Sequence, residues 1–333
     1  MDKLLNRSFG FGSIGACILA AIAVIPPLAH LAGEPFYITL FSRVMIFAIA
    51  AIGLNIALGF GGMVSFGHAL YVGIGAYGAA VLQFHGLDSV WIQLPLVIAV
   101  GSLCALGIGL CCLRTSGVAF IMITLAFAQM FYFTIISFAE YGGDDGMSMA
   151  ARSTMPGLNM EDGLVFFYLV LFCLVGGVIA IGRLVNSHYG WVLQGCRSNE
   201  RRMAALGYNT LRYKLIAYLI SAQYCIVAGF LLANLSRFAS PSYAHWVISG
   251  ELLVMVILGG LGSVFGPVLG ALGFLLFEEF LSSVRLPLPD QYADILQSNP
   301  LVLIGLLIVA IALATGTDFR TWIAWRRPQR SKK

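Results

Sequence analysis

The sequence predicts an all-α fold, a polytopic membrane bundle of about ten transmembrane helices. Of the 333 residues, 59% are hydrophobic and only 10% are charged, whereas soluble domains carry about a quarter charged residues. The apolar residues form long runs of about 20 residues, not one-faced or alternating patterns. Backbone groups in hydrocarbon must be satisfied within their own segment, so runs of this length favour helices over the shorter alternating strands of a membrane barrel.

The positions of the expected crossings follow from the apolar runs. We predict spans at 11–32, 38–59, 64–84, 90–112, 117–139, 163–183, 214–236, 247–260, 266–284 and 300–316. The first run could instead be a cleaved signal, because Lys3 and Arg7 precede it and small residues follow near Ala29. Its length of about 20 residues favours a retained helix, since signal cores are shorter.

The distribution of basic residues predicts the orientation. With both termini cytoplasmic, 15 of the 19 lysine and arginine residues fall on the inner side. The remaining four, on the outer side, are Arg43, Arg152, Arg237 and Arg285. The outer loop between the fifth and sixth spans carries the acidic residues Glu140, Asp144, Asp145, Glu161 and Asp162. Because basic residues are retained on the cytoplasmic side, this bias places both termini, including the basic tail 317–333, in the cytoplasm.

The longest polar insert on the inner side, 184–213, contains a helix signature over 198–207. Ser198 or Asn199 can cap its start, and Gly207 can end it in a left-handed conformation. Met203 and Leu206 would form an apolar stripe beside two arginines. Such a surface suits a groove on another protein. A charged loop with a short helix on the membrane surface is equally consistent with these residues.

Two Gly-rich stretches resemble each other and suggest an internal duplication. Residues 58–67 and 258–266 share Leu-Gly, a glycine three positions later and a closing Phe-Gly. Repeats of this kind are common in transporters. Clustered glycines in a membrane segment either let helices approach closely or interrupt a helix where it lines a cavity.

Motifs for common chemistry are missing from the sequence. None of the four lysines follows a glycine, so the chain lacks the Gly-Lys end of a nucleotide-binding loop. The common hydrolase and zinc signatures are absent as well. The seven cysteines show neither a disulfide framework nor metal-ligand spacing. We therefore expect no catalytic residues, metal or cofactor in this chain. The net charge of +4 lies in loops and the tail, which indicates orientation and not nucleic-acid binding.

Polar residues and glycines within the apolar runs are the candidates for lining a pathway. A polar side chain is costly in lipid and usually faces the interior of the bundle. Interhelical hydrogen bonding or snorkelling is the alternative for each one. The candidates are Asn55, Gly61, Gly62, Ser65, His68, Gln129, Glu251, Gly259, Gly260 and Gly262.

Three stretches carry a resemblance to a known family. Residues 53–69, Gly-Leu-Asn-Ile-Ala-Leu-Gly-Phe-Gly-Gly-Met-Val-Ser-Phe-Gly-His-Ala, continue into Gly-Ile-Gly-Ala-Tyr at 73–77. Residues 258–270 contain Leu-Gly-Gly-Leu-Gly-Ser and Gly-Pro-Val-Leu-Gly. Together with 197–209, they closely resemble, in order, the signatures and coupling loop of branched-chain amino acid ABC transporter permeases of the LivM kind.

This resemblance implies a single transmembrane permease domain over 1–333 in a bacterial inner membrane. It implies a transport subunit, not an enzyme, that pairs with a second homologous permease and receives solute from a periplasmic binding protein. Two cytoplasmic ATPase subunits would hold ATP and Mg and dock on the coupling helix 198–207. The residues implied in coupling are Arg197, Ser198, Asn199, Glu200, Arg201, Arg202, Ala205 and Gly207.

The sequence is also consistent with other functions. Members of the same family also carry urea, short amides or aromatic acids. A stand-alone channel or an ion-coupled carrier is a different class, but the sequence shows no run of titratable carboxylates at membrane depth, as a proton-driven carrier would need. A membrane-embedded enzyme is a more distant alternative.

Overall fold

The computed structural model describes residues 36–283 without a gap, together with residues 15, 18–27, 34 and 305. The tail 317–333, both termini, half of the predicted span 11–32 and all of the predicted span 300–316 except residue 305 lie outside the described residues. The described helices are α1 (Ile18–Pro27), α2 (Phe36–Asn55), α3 (His68–Phe84), α4 (Val90–Cys112), α5 (Val118–Ser137), α6 (Gly163–Val185), α7 (His188–Ser198), α8 (Glu200–Ala205), α9 (Thr210–Ser236), α10 (Trp246–Gly259) and α11 (Gly266–Ser283).

Short elements connect these helices. A π-helical turn, Ile56–Phe60, continues α2, and 3-10 turns occupy Ala139–Tyr141 and Pro241–Ala244. Two short strands, β1 (Met147–Ser148) and β2 (Phe238–Ala239), pair antiparallel. The described residues are therefore almost wholly helical, as the all-α class predicts.

Among the described residues, five helices are long and apolar enough to cross a membrane. They are Phe36–Phe60, Val90–Cys112, Val118–Ser137, Gly163–Val185 and Thr210–Ser236, with mean hydropathies from 2.0 to 2.9. Each falls on a predicted span, and 20 or more residues supply the roughly 30 Å that the hydrocarbon core requires. The sequence prediction of a multi-pass membrane protein is confirmed for these five segments.

Two predicted spans hold helices shorter than the roughly 20 residues that a crossing requires. The span 64–84 is corrected at its start, because residues 64–67 are not helical and α3, with 17 residues, begins at His68. The span 247–260 agrees with α10 within one residue at each end. The 14 residues of α10 rise only about 21 Å, and β2 and a 3-10 turn lie in the segment 237–245 before it.

The core of the first compact unit, residues 1–272, forms around α9. Helices α3 and α9 approach closely, because a Cβ on Gly75 would lie 2.1 Å from the Ile226 carbonyl oxygen. A Cβ on Gly229 would lie 2.0 Å from the Val72 carbonyl oxygen. These glycines let the two backbones come into direct contact, which is a common way to stabilise helix pairs in lipid.

Contacts along α9 fix the depth at which α3 and α10 begin. The His68 Nε2 lies 2.7 Å from the Ser221 Oγ, and Ser221 is 11 residues after Thr210, the first residue of α9. At about 1.5 Å per residue, α3 begins roughly 17 Å above the start of α9. The Ala69 amide donates to the Ser249 Oγ at 2.8 Å. The first turns of α3 and α10 therefore lie side by side near mid-depth.

The loops divide into two groups at opposite ends of α9. At one end the Gln83 Nε2 donates to the Ala151 carbonyl, the Val90 amide donates to the Thr154 carbonyl, and Met147 pairs with Ala239. At the other end Arg197 contacts Gly59. Loops that the basic-residue count assigns to the same side thus meet one another.

Candidate functional site

The predicted coupling helix 198–207 is divided in the structure. Ser198 is the last residue of α7, and α8 covers only Glu200–Ala205. Asn199 lies between them in an extended conformation, and its Oδ1 accepts from the Arg202 amide at 3.0 Å. The extended backbone at Asn199 stops one helix, and its side chain caps the next. The predicted left-handed end at Gly207 is confirmed by its φ of +89°.

Contacts with α7 and α9 hold α8 in place. A Cβ on Gly195 would lie 2.7 Å from the Met203 Sδ, so Met203 packs against α7. Of the two residues of the predicted apolar stripe, Met203 is half-buried in the chain and Leu206 is 67% exposed. Lys214 of α9 forms an ion pair with Glu200. Partial burial acts to raise the pKa of the Glu200 carboxyl, but the hydrogen bond and charge of Lys214 outweigh it and lower the pKa.

The outward surface of α8 combines positive charge with one apolar side chain. Arg201, Arg202, Ala205 and Leu206 are exposed. Gly207 is exposed as well, and a Cβ there would meet nothing within 4 Å. We call this set the α8 surface. It is small, basic at its start and apolar at its end, which suits a shallow groove on another protein.

Arg197 joins this coupling segment to the first Gly-rich stretch. Its Nη1 donates to the carbonyl oxygen of Gly59, in the π-helical turn that ends α2. Its Cγ would lie 2.9 Å from a Cβ on Gly62. Gly62 has a φ of +70°, a left-handed conformation that favours glycine. A displacement of α7 would therefore move the turn where α2 ends.

Asn55 joins the two Gly-rich stretches to each other. Its Nδ2 donates to the Ser263 carbonyl at 2.8 Å, and its Oδ1 accepts from the Gly262 amide at 3.1 Å. A Cβ on Gly59 would lie 2.7 Å from the Gly262 nitrogen, so the two stretches are in contact. We call Asn55, Gly59, Arg197, Gly262 and Ser263 the inner junction.

A buried polar cluster lies beyond the inner junction, at the start of α3. His68 and Ser221 are fully buried and share the hydrogen bond that fixes the depth of α3. The Tyr71 hydroxyl donates to the Tyr218 hydroxyl at 3.0 Å, and the His68 ring meets both tyrosine rings edge-on. The Ser65 Oγ accepts from the Gly67 amide at 3.2 Å. The bonds of His68 to Ser221 and of Tyr71 to Tyr218 hold α3 to α9, whereas the buried His68 Nδ1 has no hydrogen-bond partner among the described residues.

The remaining predicted pathway residues serve different local roles. Gln129 lies on α5, and its Oε1 is buried without a hydrogen-bond partner in the described part of the chain. Glu251 is half-buried on α10 and has an interaction partner. A Cβ on Gly259 would lie 1.9 Å from the Gly266 carbonyl oxygen. A Cβ on Gly61 would lie 2.7 Å from the Ala57 carbonyl oxygen, and Gly260 has a φ of +97°. Close packing and turns explain these three glycines.

The sequence missed a network around Arg152 at the opposite end of α9. The Arg152 Nε donates to the Asn234 carbonyl at 3.1 Å, its Nη1 donates to the Met160 carbonyl at 2.9 Å, and its guanidinium lies 4.6 Å from the centre of the Phe166 ring. Partial burial, followed by the charge of Arg237, lowers the pKa of Arg152. The signal in the sequence that could have indicated this network was Arg152 itself, a single basic residue in a loop that carries acidic residues.

We expect Arg152→Met to destabilise the protein by about 1–3 kcal/mol, because it leaves buried carbonyl oxygens without a donor. Arg237→Gln is the control, since Arg237 forms an exposed ion pair with Glu161 that contributes about 0–1 kcal/mol. The measurement is the temperature at which detergent-solubilised protein aggregates. Equal shifts for the two variants would contradict the structural role of Arg152.

Comparison with known proteins identifies the family. The sequence profile described as "Branched-chain amino acid transport system / permease component" matches residues 36–312. This chain belongs to that family. The match contains every residue of the inner junction and of the polar cluster. No solved structure gives a significant match to the chain.

Several known permease proteins are similar to this chain in sequence. It is 29% identical over 288 residues to the high-affinity branched-chain amino acid transport system permease protein LivM of Salmonella typhimurium, covering 79% of this chain and 67% of the relative. It is 29% identical to LivM of Escherichia coli K12, covering 71% of this chain and 61% of the relative. LivH of Escherichia coli K12 is 25% identical, covering 79% of this chain and 89% of the relative. The chain therefore spans about two thirds of the LivM relatives.

Proposed function

We propose that this chain is the transmembrane subunit of an ATP-binding-cassette importer that moves branched-chain amino acids across the bacterial cytoplasmic membrane. The observation that carries the proposal is the family match over residues 36–312. The relatives LivM and LivH, named as branched-chain amino acid permease proteins, support the substrate class. The five long apolar helices supply the required membrane-embedded scaffold.

The importer needs further subunits. A second homologous permease completes the transmembrane part, and a periplasmic binding protein delivers the solute. Two ATPase subunits hold ATP and Mg and dock on the cytoplasmic side. The exposed, basic and apolar α8 surface is the part of this chain that best fits such docking, because α8 is anchored from behind by Met203 and by the Glu200–Lys214 ion pair.

The inner junction supplies a route from the ATPases to the membrane helices. A push on α8 is transmitted through Asn199 to α7, whose Arg197 bonds to the turn that ends α2. Asn55 bonds that turn to the second Gly-rich stretch, so both Gly-rich stretches respond together. A packed, hydrogen-bonded connection of this kind can bias a bundle between two arrangements, which alternating access requires.

Reconstitution of the complete complex in vesicles tests the substrate class. We expect leucine, isoleucine and valine, each with the periplasmic binding protein, to stimulate ATP hydrolysis and to accumulate inside. If only urea, short amides or aromatic acids stimulated ATP hydrolysis, the chain would still be an importer subunit, but its substrate class would be different. Uptake of leucine by the purified chain without ATPase subunits would contradict the importer itself.

Substitutions on the α8 surface test the docking role. We expect Leu206→Glu with Arg201→Glu to reduce uptake at least tenfold, since each introduces a repulsive or desolvated charge that weakens a small interface by about 1.4 kcal/mol or more. Glu200 is unsuitable for this test because its loss also breaks the ion pair with Lys214. Leu158→Glu is the control, since Leu158 is 45% exposed in a loop at the opposite end of α9.

Co-purification of the ATPase subunits separates docking from folding. We expect the double variant to reach the membrane in normal amount but to retain fewer ATPase subunits than the Leu158→Glu control. Normal uptake and normal retention in the double variant would remove α8 from the docking interface.

A further inference from the structure

Two segments without α-helix, 61–67 before α3 and 237–245 before α10, both lie against α5. The Phe66 amide donates to the Thr124 Oγ1 of α5 at 3.2 Å. About two turns further along α5, the ring centre of Tyr132 lies 5.0 Å from that of His245. The two segments therefore follow the same helix, one over each half of its length.

The segments meet near mid-depth through an aromatic pair. The ring centres of Phe66 and Trp246 are 6.5 Å apart, and the Phe66 ring lies 3.9 Å from a Cβ placed on Gly250. Gly62 is exposed, Val64 is 37% exposed and Trp246 is 38% exposed. Phe66 and Trp246 are therefore in contact, and we call these two residues, together with the exposed residues Gly62 and Val64 of the segment that contains Phe66, the α5 stripe.

Exposed irregular backbone at this depth indicates contact with water. The segment 61–67 runs between the inner junction and His68, which begins α3 about 17 Å above the start of α9. Inside the hydrocarbon, backbone without a regular ladder is tolerated where it is buried in protein or lines a water-filled cavity. In this segment Gly62, beside Arg197 at the inner junction, and Val64 are exposed residues in this chain. Regular helices, in contrast, carry the most exposed apolar residues, Leu103 at 70% and Phe172 at 76%.

A polar group beside the stripe supports the same conclusion. Gln129 lies on α5 one turn before Tyr132, the residue that contacts His245. The buried Gln129 Oε1 has no hydrogen-bond partner in the described part of the chain. An unpaired amide oxygen is costly in lipid but is readily satisfied by water or by a polar solute.

We propose that the α5 stripe is the part of this chain that lines the translocation path, with Phe66 and Trp246 offering an apolar surface to the side chain of the passing amino acid. The inference rests on the proposed importer function. It assigns the path to the α5 face of α3 and α10, not to the space between α2, α3 and α9, which the Gly75 and Gly229 contacts close. Asn55, Ser65 and His68 then support the path from behind.

Cysteine labelling of the assembled complex in vesicles tests the stripe. The seven natural cysteines are first replaced by alanine or serine, and Val64→Cys and Trp246→Cys are introduced separately. A charged, membrane-impermeant thiosulfonate serves as the probe because thiols in lipid neither ionise nor meet it. We expect both variants to react about tenfold or more faster than Phe172→Cys, the exposed control on a regular helix of the same chain.

Labelling with and without solute separates this inference from the proposed function. We expect leucine with its binding protein and ATP to slow the labelling of Val64→Cys. If Val64→Cys labelled fast and another solute, but not leucine, slowed the labelling, the α5 stripe would still line the path and the proposed substrate would be wrong. Labelling of Val64→Cys and Trp246→Cys no faster than that of Phe172→Cys would overturn the stripe even in a complex that imports leucine.

Discussion

Gly75→Ala is expected to remove most of the folded protein from the membrane. A Cβ at this position would lie 2.1 Å from the Ile226 carbonyl oxygen and 2.8 Å from the Phe230 nitrogen, both backbone atoms of α9. Neither can move without separating α3 from α9. Overpacking of a core costs about 1–3 kcal/mol even where side chains can adjust, and here only backbone can adjust.

The measurement is the amount of monodisperse protein recovered in mild detergent after expression of equal quantities. Gly107→Ala in α4 and Gly176→Ala in α6 are matched controls, because a Cβ at either position meets nothing within 4 Å. Both controls are expected to be recovered at or above the original level, since alanine favours a helix over glycine by up to about 1 kcal/mol. Recovery of Gly75→Ala at the level of these controls would contradict the close crossing of α3 and α9.

Asn55→Leu is expected to uncouple ATP hydrolysis from uptake. Leucine has the same number of side-chain heavy atoms as asparagine, branched at the same carbon, but can bond neither the Gly262 amide nor the Ser263 carbonyl, which the native side chain joins. Each group left without its partner costs about 1–3 kcal/mol to the extent that it stays buried. The two Gly-rich stretches would separate, and motion of α7 would reach only the first of them.

The measurement is the ratio of solute taken up to ATP hydrolysed in vesicles containing the complete complex. We expect this ratio to fall at least tenfold in Asn55→Leu while ATP hydrolysis persists. Asn55→Asp keeps the acceptor for the Gly262 amide. Its ratio of uptake to hydrolysis is therefore expected to lie between that of Asn55→Leu and that of the unaltered protein. Asn186→Leu is the control, because Asn186 is exposed and bonds only to the Gly182 carbonyl of its own helix. An unchanged ratio in Asn55→Leu would exclude the inner junction from coupling.

The sequence predicted the long membrane helices well because their signal is local. The span 90–112 coincides with α4, and 163–183 differs from α6 only by two residues at its end. Hydrophobic length alone decides whether such a segment can cross a bilayer. The same signal located α10 within one residue but failed at the start of the span 64–84, where residues 64–67 are not helical. There the Phe66 amide bonds to Thr124 on α5, a partner that hydropathy does not reveal.

The candidate site was predicted by residue type but not by role. Asn55, Ser65 and His68 were chosen as polar residues in apolar runs, and the structure shows each bonded to protein. Arg197 was assigned to coupling through the family resemblance, but its bond to Gly59 joins residues 138 positions apart in the sequence. Val64, Phe66 and Trp246 were not chosen at all, because apolar residues in an apolar run carry no distinguishing signal.

The sequence by itself determined that the protein is a multi-pass membrane helix bundle and, through its motifs, which family it belongs to. Composition determines that most of the chain is surrounded by lipid, and the lengths of the apolar runs determine where the helices lie, because both properties depend on each segment alone. The tertiary structure decided where α3 and α10 begin, how Asn55 and Arg197 connect the Gly-rich stretches, and which surface carries the exposed irregular backbone. These features depend on pairs of residues far apart in the chain, whose contact is set by the packing of helices around α9.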